Sequence, residues 1–118
     1  MKIKQPLQTT FNFEVGAVLR ATMTQAYGFF FNASNFRITR NWVEQTSIPY
    51  TLTADTVLKV VAVSNDTFEV YIDGVLFTTY TDPTPLSGGY PGFTMNSGSD
   101  EMTRVDYWTY NPSGEYWL

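Results

Sequence analysis

The sequence predicts an all-β protein, an antiparallel β-sandwich built as a single domain over residues 1–118. Three observations carry that expectation. Thr, Tyr, Phe and Val are plentiful while Lys and Glu are scarce, a composition that suits strands better than helices. No segment repeats its apolar residues with helical periodicity. Short apolar or alternating runs instead follow one another at regular spacing, separated by Gly, Pro, Asn, Asp and Ser.

Taken in order, the predicted strands are "QTTFNFE", "VGAVLRA", "YGFFFN", "NFRITRNW", "VLKVVAV", "TFEVYID", "VLFTTYT", "GFTMN" and "TRVDYWTY". Two hairpins are written into them. Asp73-Gly74 between "EVYI" and "VLFTTY" is the dipeptide preferred by two-residue hairpin turns. "SND" joins "VLKVVAV" to "TFEVYID", with Asn65 and Asp66 able to take left-handed backbone angles. Along that strand Phe68, Val70 and Ile72 share one face and Glu69, Tyr71 and Asp73 the other. "NWVEQTSIPY" reads as a loop. "YTDPTPLSGGYPGF" reads as a crossing from one sheet to the other, because Pro83 and Pro85 cannot donate to a ladder and Gly88-Gly89 permits positive φ.

Charge and composition exclude several functions. Seven Lys and Arg against eleven Asp and Glu give a net charge of −4, which argues against the clustered cations that nucleic acid requires. No run reaches membrane-spanning length. With no Cys and no His, thiol chemistry, a thiolate zinc site and imidazole catalysis are all out of reach. The N-terminal "MKIKQPLQTTFNF" lacks the apolar h-region of a signal peptide, so a complete chain would be synthesised in the cytoplasm without export.

Carboxylates would have to carry any acid–base work, and no pair is spaced on one strand for glycoside hydrolysis. Catalytic residues are therefore not expected, and the protein is not read as an enzyme. Asp55, Asp66, Asp73, Asp82 and Asp100 fall in turns, where Asp bonds to its own backbone. Without a dense Asp-x-Asp-x-Asp loop no metal site is expected, although Asp82 would be the best single position for Ca²⁺. The sequons at Asn32 and Asn65 are discounted in the absence of an export signal.

The aromatics are the informative surplus, at 17% of the chain. Phe29, Phe30 and Phe31 are consecutive, so neighbours on a strand face opposite ways and some aromatic surface is expected outside the core or at an interface. Trp42 and Tyr50 are the leading ligand- or partner-facing pair, with Tyr90, Tyr116 and Trp117 beside them. Trp108 is expected between the sheets. The aromatic tail "NPSGEYWL" suggests docking, on this chain or on a neighbour.

The order "VLKVVAVSNDTFEVYIDGVLFTTYTDPTPLSGGYPGF" followed by "VDYW" resembles the second half of a concanavalin A-like, laminin-G-type jelly roll. "VGAVLRATMTQAYGFFFNASNFRITR" resembles that family's middle strands, with Arg20 ending one of them, so the likeness covers about Val15 to Tyr110. It implies a jelly roll that is either abbreviated at its N-terminus or completed by a neighbouring chain, because members usually carry further strands before the equivalent of "VGAVLRA". The sequence thus leads to a non-catalytic module with a structural or attachment role on a particle surface. A phage virion protein, a capsid decoration or fibre component, is the leading expectation. Its partners would be other protein chains, as a homo-oligomer or with capsid proteins. A carbohydrate-binding, lectin-like module is the alternative.

Overall fold

The computed structural model describes residues 2–4, 13–32, 34–53, 55–97, 104–105, 109–111 and 115–117. Twelve strands are formed among them: β1 Lys2–Lys4, β2 Phe13–Ala21, β3 Tyr27–Phe31, β4 Asn35–Arg40, β5 Val43–Pro49, β6 Thr56–Ala62, β7 Thr67–Ile72, β8 Val75–Thr81, β9 Tyr90–Ser97, β10 Arg104–Val105, β11 Thr109–Asn111 and β12 Glu115–Trp117. Every pairing is antiparallel. The first sheet has the order β5-β4-β3-β2-β9. In the second, β8 pairs with β7 and β7 with β6, while β1 and β12 share the other edge of β6. β10 and β11 extend the sheet beyond β1 and β12.

Strand alternation explains the core. Val15, Ala17 and Leu19 of β2, Tyr27, Phe29 and Phe31 of β3, and Phe36 and Ile38 of β4 turn inward from the first sheet. Leu58 and Val60 of β6 and Phe68, Val70 and Ile72 of β7 meet them from the second. The contact between layers is aromatic: Phe68 lies 4.7 Å from Tyr27 and 5.6 Å from Phe29, ring centre to ring centre. Phe77 meets Phe36 edge-on at 5.6 Å. Phe77 is the extra residue of a bulge in β8, lying between Leu76, which pairs with Tyr71, and Thr78, which pairs with Val70.

Phe30 departs from expectation. It faces away from the core, yet it is only 8% exposed. Gly28 has no side chain, and the Phe30 ring occupies that space, 2.2 Å from where a Gly28 Cβ would stand. Arg37 pairs with Glu14 and Glu44 on the same outer face, bridging β2, β4 and β5.

Both predicted hairpins form. Asp73 and Gly74 take φ of 51° and 82°, as a primed two-residue turn requires, and the Asp73 carboxylate accepts from the Val57 amide at 2.8 Å. In the "SND" loop the left-handed angles expected at Asn65 and Asp66 are not used. The loop closes through Val63 and Ser64 amides donating to the Thr67 carbonyl, and Asp66 accepts from the Ser64 and Thr67 hydroxyls.

The segment read as a loop, "NWVEQTSIPY", holds strand β5. Its polar, mostly exposed residues line a sheet edge, so no apolar alternation marked it. Most of the first predicted strand, residues 8–12 of "QTTFNFE", lies outside the described residues, as do Trp108, Asp100 and Glu101. Tail docking is seen as backbone pairing on this same chain: Glu115, Tyr116 and Trp117 stand opposite Val61, Val60 and Lys59. Removing Glu115–Leu118 strips that edge of β6 and is expected to cost roughly 2 kcal/mol, a few ladder bonds' worth. A truncated chain with an unchanged urea midpoint would contradict this.

Candidate functional site

Four connections gather at one end of the sandwich: β2–β3 (22–26), the β4–β5 turn at Asn41-Trp42, β6–β7 (63–66) and the crossing loop β8–β9 (82–89). They are tied side chain to backbone. Asn41 donates its amide to the Ala26 carbonyl at 2.8 Å and accepts from the Ala26 amide through Oδ1 at 3.1 Å. Gln25 Nε2 donates to Ser87 O at 2.8 Å and to Arg20 O at 3.1 Å. Arg20 Nη1 donates to Leu86 O at 2.7 Å and to Asn65 O at 2.5 Å. Its guanidinium lies 4.9 Å from the Phe68 ring centre, a cation–π contact at the mouth of the core.

Arg20 has a left-handed φ of 52°, and the β2–β9 register shifts between Val18 and Ala21. The bulge aims its long side chain across to the second sheet. Gly89 presses on the same spot, where a Cβ would stand 2.4 Å from the Arg20 carbonyl carbon.

Beneath these contacts sits Asp82, 3% exposed. Its Oδ2 accepts from Tyr27 OH at 2.6 Å and Arg40 Nε at 2.7 Å. Its Oδ1 accepts from the Thr84 amide at 2.9 Å. The chain is closed by Leu86, whose amide donates to Tyr27 OH at 2.8 Å, and by Arg40 Nη2 donating to Thr84 O at 2.9 Å. Burial pushes the Asp82 carboxyl up, but the hydrogen bonds from Tyr27, Thr84 and Arg40 outweigh it and hold the group below the usual carboxylate range. Burial, then the neighbouring carboxylate, push the Tyr27 phenol up. Asp82 therefore anchors the crossing loop. Its oxygens are turned to protein donors, one of them cationic, rather than offered to Ca²⁺.

Over this polar floor the rim is apolar. Trp42 is 63% exposed, Tyr90 77% and Met23 99%, with Val43 and Val63 exposed near them in the topology. Tyr90 pairs with Ala21 at the start of β9. Trp42 sits three strands away at the β4–β5 turn, roughly 14 Å at ordinary strand spacing. Asn41 and Trp42 take φ of 49° and 66°. A two-residue primed turn normally places Gly at the second position, so a bulky indole there is held against its backbone preference.

The structure separates the pair Trp42 and Tyr50. They flank β5, whose seven residues set them roughly 23 Å apart. Tyr50 belongs to the opposite end, half-buried, with its ring 5.5 Å from Phe31 and 5.4 Å from Phe77. Its phenol is pushed up by burial and then by Asp73. Tyr90 joins Trp42 at the loop end. Tyr116 and Trp117 lie on β12 at the edge of β6. Met23, Val43 and Val63 were not singled out from sequence. Their signal was an apolar residue inside a turn (Met23, Val63) or directly after one (Val43), weak alone and informative only once four turns converge. Comparison with protein-family models, curated proteins and solved structures gave no match.

Proposed function

We propose that this chain is a non-catalytic jelly-roll module of the concanavalin A-like kind, which attaches to another macromolecule through its loop end. The setting that fits best is a particle surface, as a decoration or fibre component of a phage virion. The jelly-roll assignment is supported by the path of the chain: β2 to β5 run through one sheet, β6 to β8 through the other, and β9 returns beside β2. A non-catalytic role is supported by six of the described carboxylates, since Glu14, Glu44, Glu69, Asp66, Asp73 and Asp82 all accept hydrogen bonds from groups of the fold.

The observation that carries the attachment reading is Trp42. Left-handed backbone at a large residue is costly, and strain of this sort is kept where a side chain has work outside the fold. Trp is also the residue most enriched among the anchors of binding surfaces. Trp42→Gly is expected to gain about 1 kcal/mol of stability, a rise in Tm of roughly 4 °C, while removing the anchor. An unchanged or lowered Tm would remove the argument from strain.

A second reading, glycan binding, is favoured by exposed rings at an end whose charged groups, Arg20, Arg40, Asp66 and Asp82, are engaged within the chain. Glycan-array binding by the wild type that disappears in Trp42→Ala would select it. Turnover of a substrate by the purified protein would end both readings.

A further inference from the structure

From strand β8 we infer a second interaction surface, separate from the loop end: the outer edge of Val75–Thr81 pairs antiparallel with the same strand of a second copy of this chain, across a two-fold axis beside Thr79. Among the described residues β8 forms its ladder with β7 alone. Sheet edges of this kind are normally guarded by charge, proline or a very short strand. β5 carries Glu44 and Pro49, and β9 carries Pro91. β8 is "VLFTTYT", seven residues with no charge, no proline and no glycine. Its bulge lies toward the hairpin end, opposite Val70 and Tyr71, and leaves Thr78–Thr81 in regular register with β7.

The edge is self-complementary, which is what selects a second copy as its occupant. A two-fold pairing sets Thr79 opposite its own counterpart and Thr78 opposite Tyr80, so no like charges meet although the chain as a whole carries −4. The strand already makes a threonine–threonine contact of the kind this would repeat, Thr81 to Thr67 at 3.1 Å between hydroxyls. Val75 and Leu76, 69% and 50% exposed, supply apolar cover where the paired strands overrun each other. Backbone bonding along the edge provides the affinity, as in other strand-addition complexes, and joins the two second sheets into one continuous sheet.

The test is sedimentation velocity of the full chain over a concentration series. The wild type is expected to reach a dimer, with protection of β8 amides from hydrogen exchange rising as concentration rises. Thr79→Lys and Thr79→Glu each place like charges at the axis and are expected to raise the dimer dissociation constant at least about tenfold. Mixing the two variants is expected to restore the dimer, since Lys then faces Glu. Trp42→Gly is expected to leave the dimer intact, so failure here is distinguishable from failure of the loop-end reading. A chain that stays monomeric throughout overturns the inference, as does a dimer indifferent to both charges or one whose β8 amides gain no protection.

Discussion

Gly16→Ala is expected to destabilise the protein by roughly 3 kcal/mol or more, toward the exceptional end for a one-carbon change. The cause is a backbone approach. A Cβ at Gly16 would stand 1.9 Å from the Phe29 carbonyl oxygen and 2.8 Å from the Phe29 carbonyl carbon and the Phe30 Cα. These are main-chain atoms of β3, which cannot rotate aside. Neither can β2 retreat, because Gly16 is paired with Phe30 on one side and with Thr94 of β9 on the other. The added methyl must part strands at the middle of the first sheet, above Phe29 and Phe31, which fill the core. Gly28→Ala is a useful contrast, since its Cβ would meet the Phe30 ring and the Thr39 hydroxyl, side-chain groups with some freedom to move. Urea unfolding of the three proteins is the measurement. A Gly16→Ala midpoint near that of the wild type would show that the two strands are not so closely apposed.

Asp82→Asn is expected to cost roughly 2–3 kcal/mol at neutral pH. The variant keeps the size of the side chain but loses the charge that Arg40 faces, and it cannot accept every bond now made by Tyr27, Arg40 and Thr84. Four connections depend on this corner, so the crossing loop should loosen first, and hydrogen exchange at Thr84 and Leu86 would record it. The pH dependence has a definite sign. The folded carboxyl is held below its ordinary value, so its stabilisation is fully present above about pH 4 and is lost as pH falls through the lower, folded value. The gap between wild type and variant should therefore narrow on acidification. Asp66, also lowered, by the Ser64 and Thr67 hydroxyls, leaves both proteins a shared slope of the same sign. A gap that stays constant from pH 7 to about pH 3 would mean that Asp82 does not titrate as the geometry demands.

Much of the architecture was legible because strands announce themselves by local rules. "TFEVYI" alternates, and its apolar half is buried residue by residue. Asp73-Gly74 turned the chain where its dipeptide said it would. β5 was hidden because an exposed edge strand needs no apolar face, and the tail strand because its partner, β6, lies more than fifty residues away. Phe30 misled for a related reason: a residue facing away from the core is normally wet, and only the space left by Gly28 accommodates the ring.

The candidate site was less legible still. Tyr27 and Arg40 are separated by 55 and 42 positions from their common carboxylate, Asp82. Nothing local distinguishes Asp82 from the other turn aspartates. Trp42 and Tyr50 look like neighbours in the text, and an extended strand carries them to opposite ends.

Strand content, the hairpin at Asp73-Gly74 and the inward face of β7 follow from the sequence by itself, because backbone preference and alternation act over a few residues. Which turns share an end, which carboxylate is buried and which sheet edge is left without a charged guard were decided only in three dimensions. Those features depend on contacts between distant segments, and such contacts exist only after two layers have closed on one core.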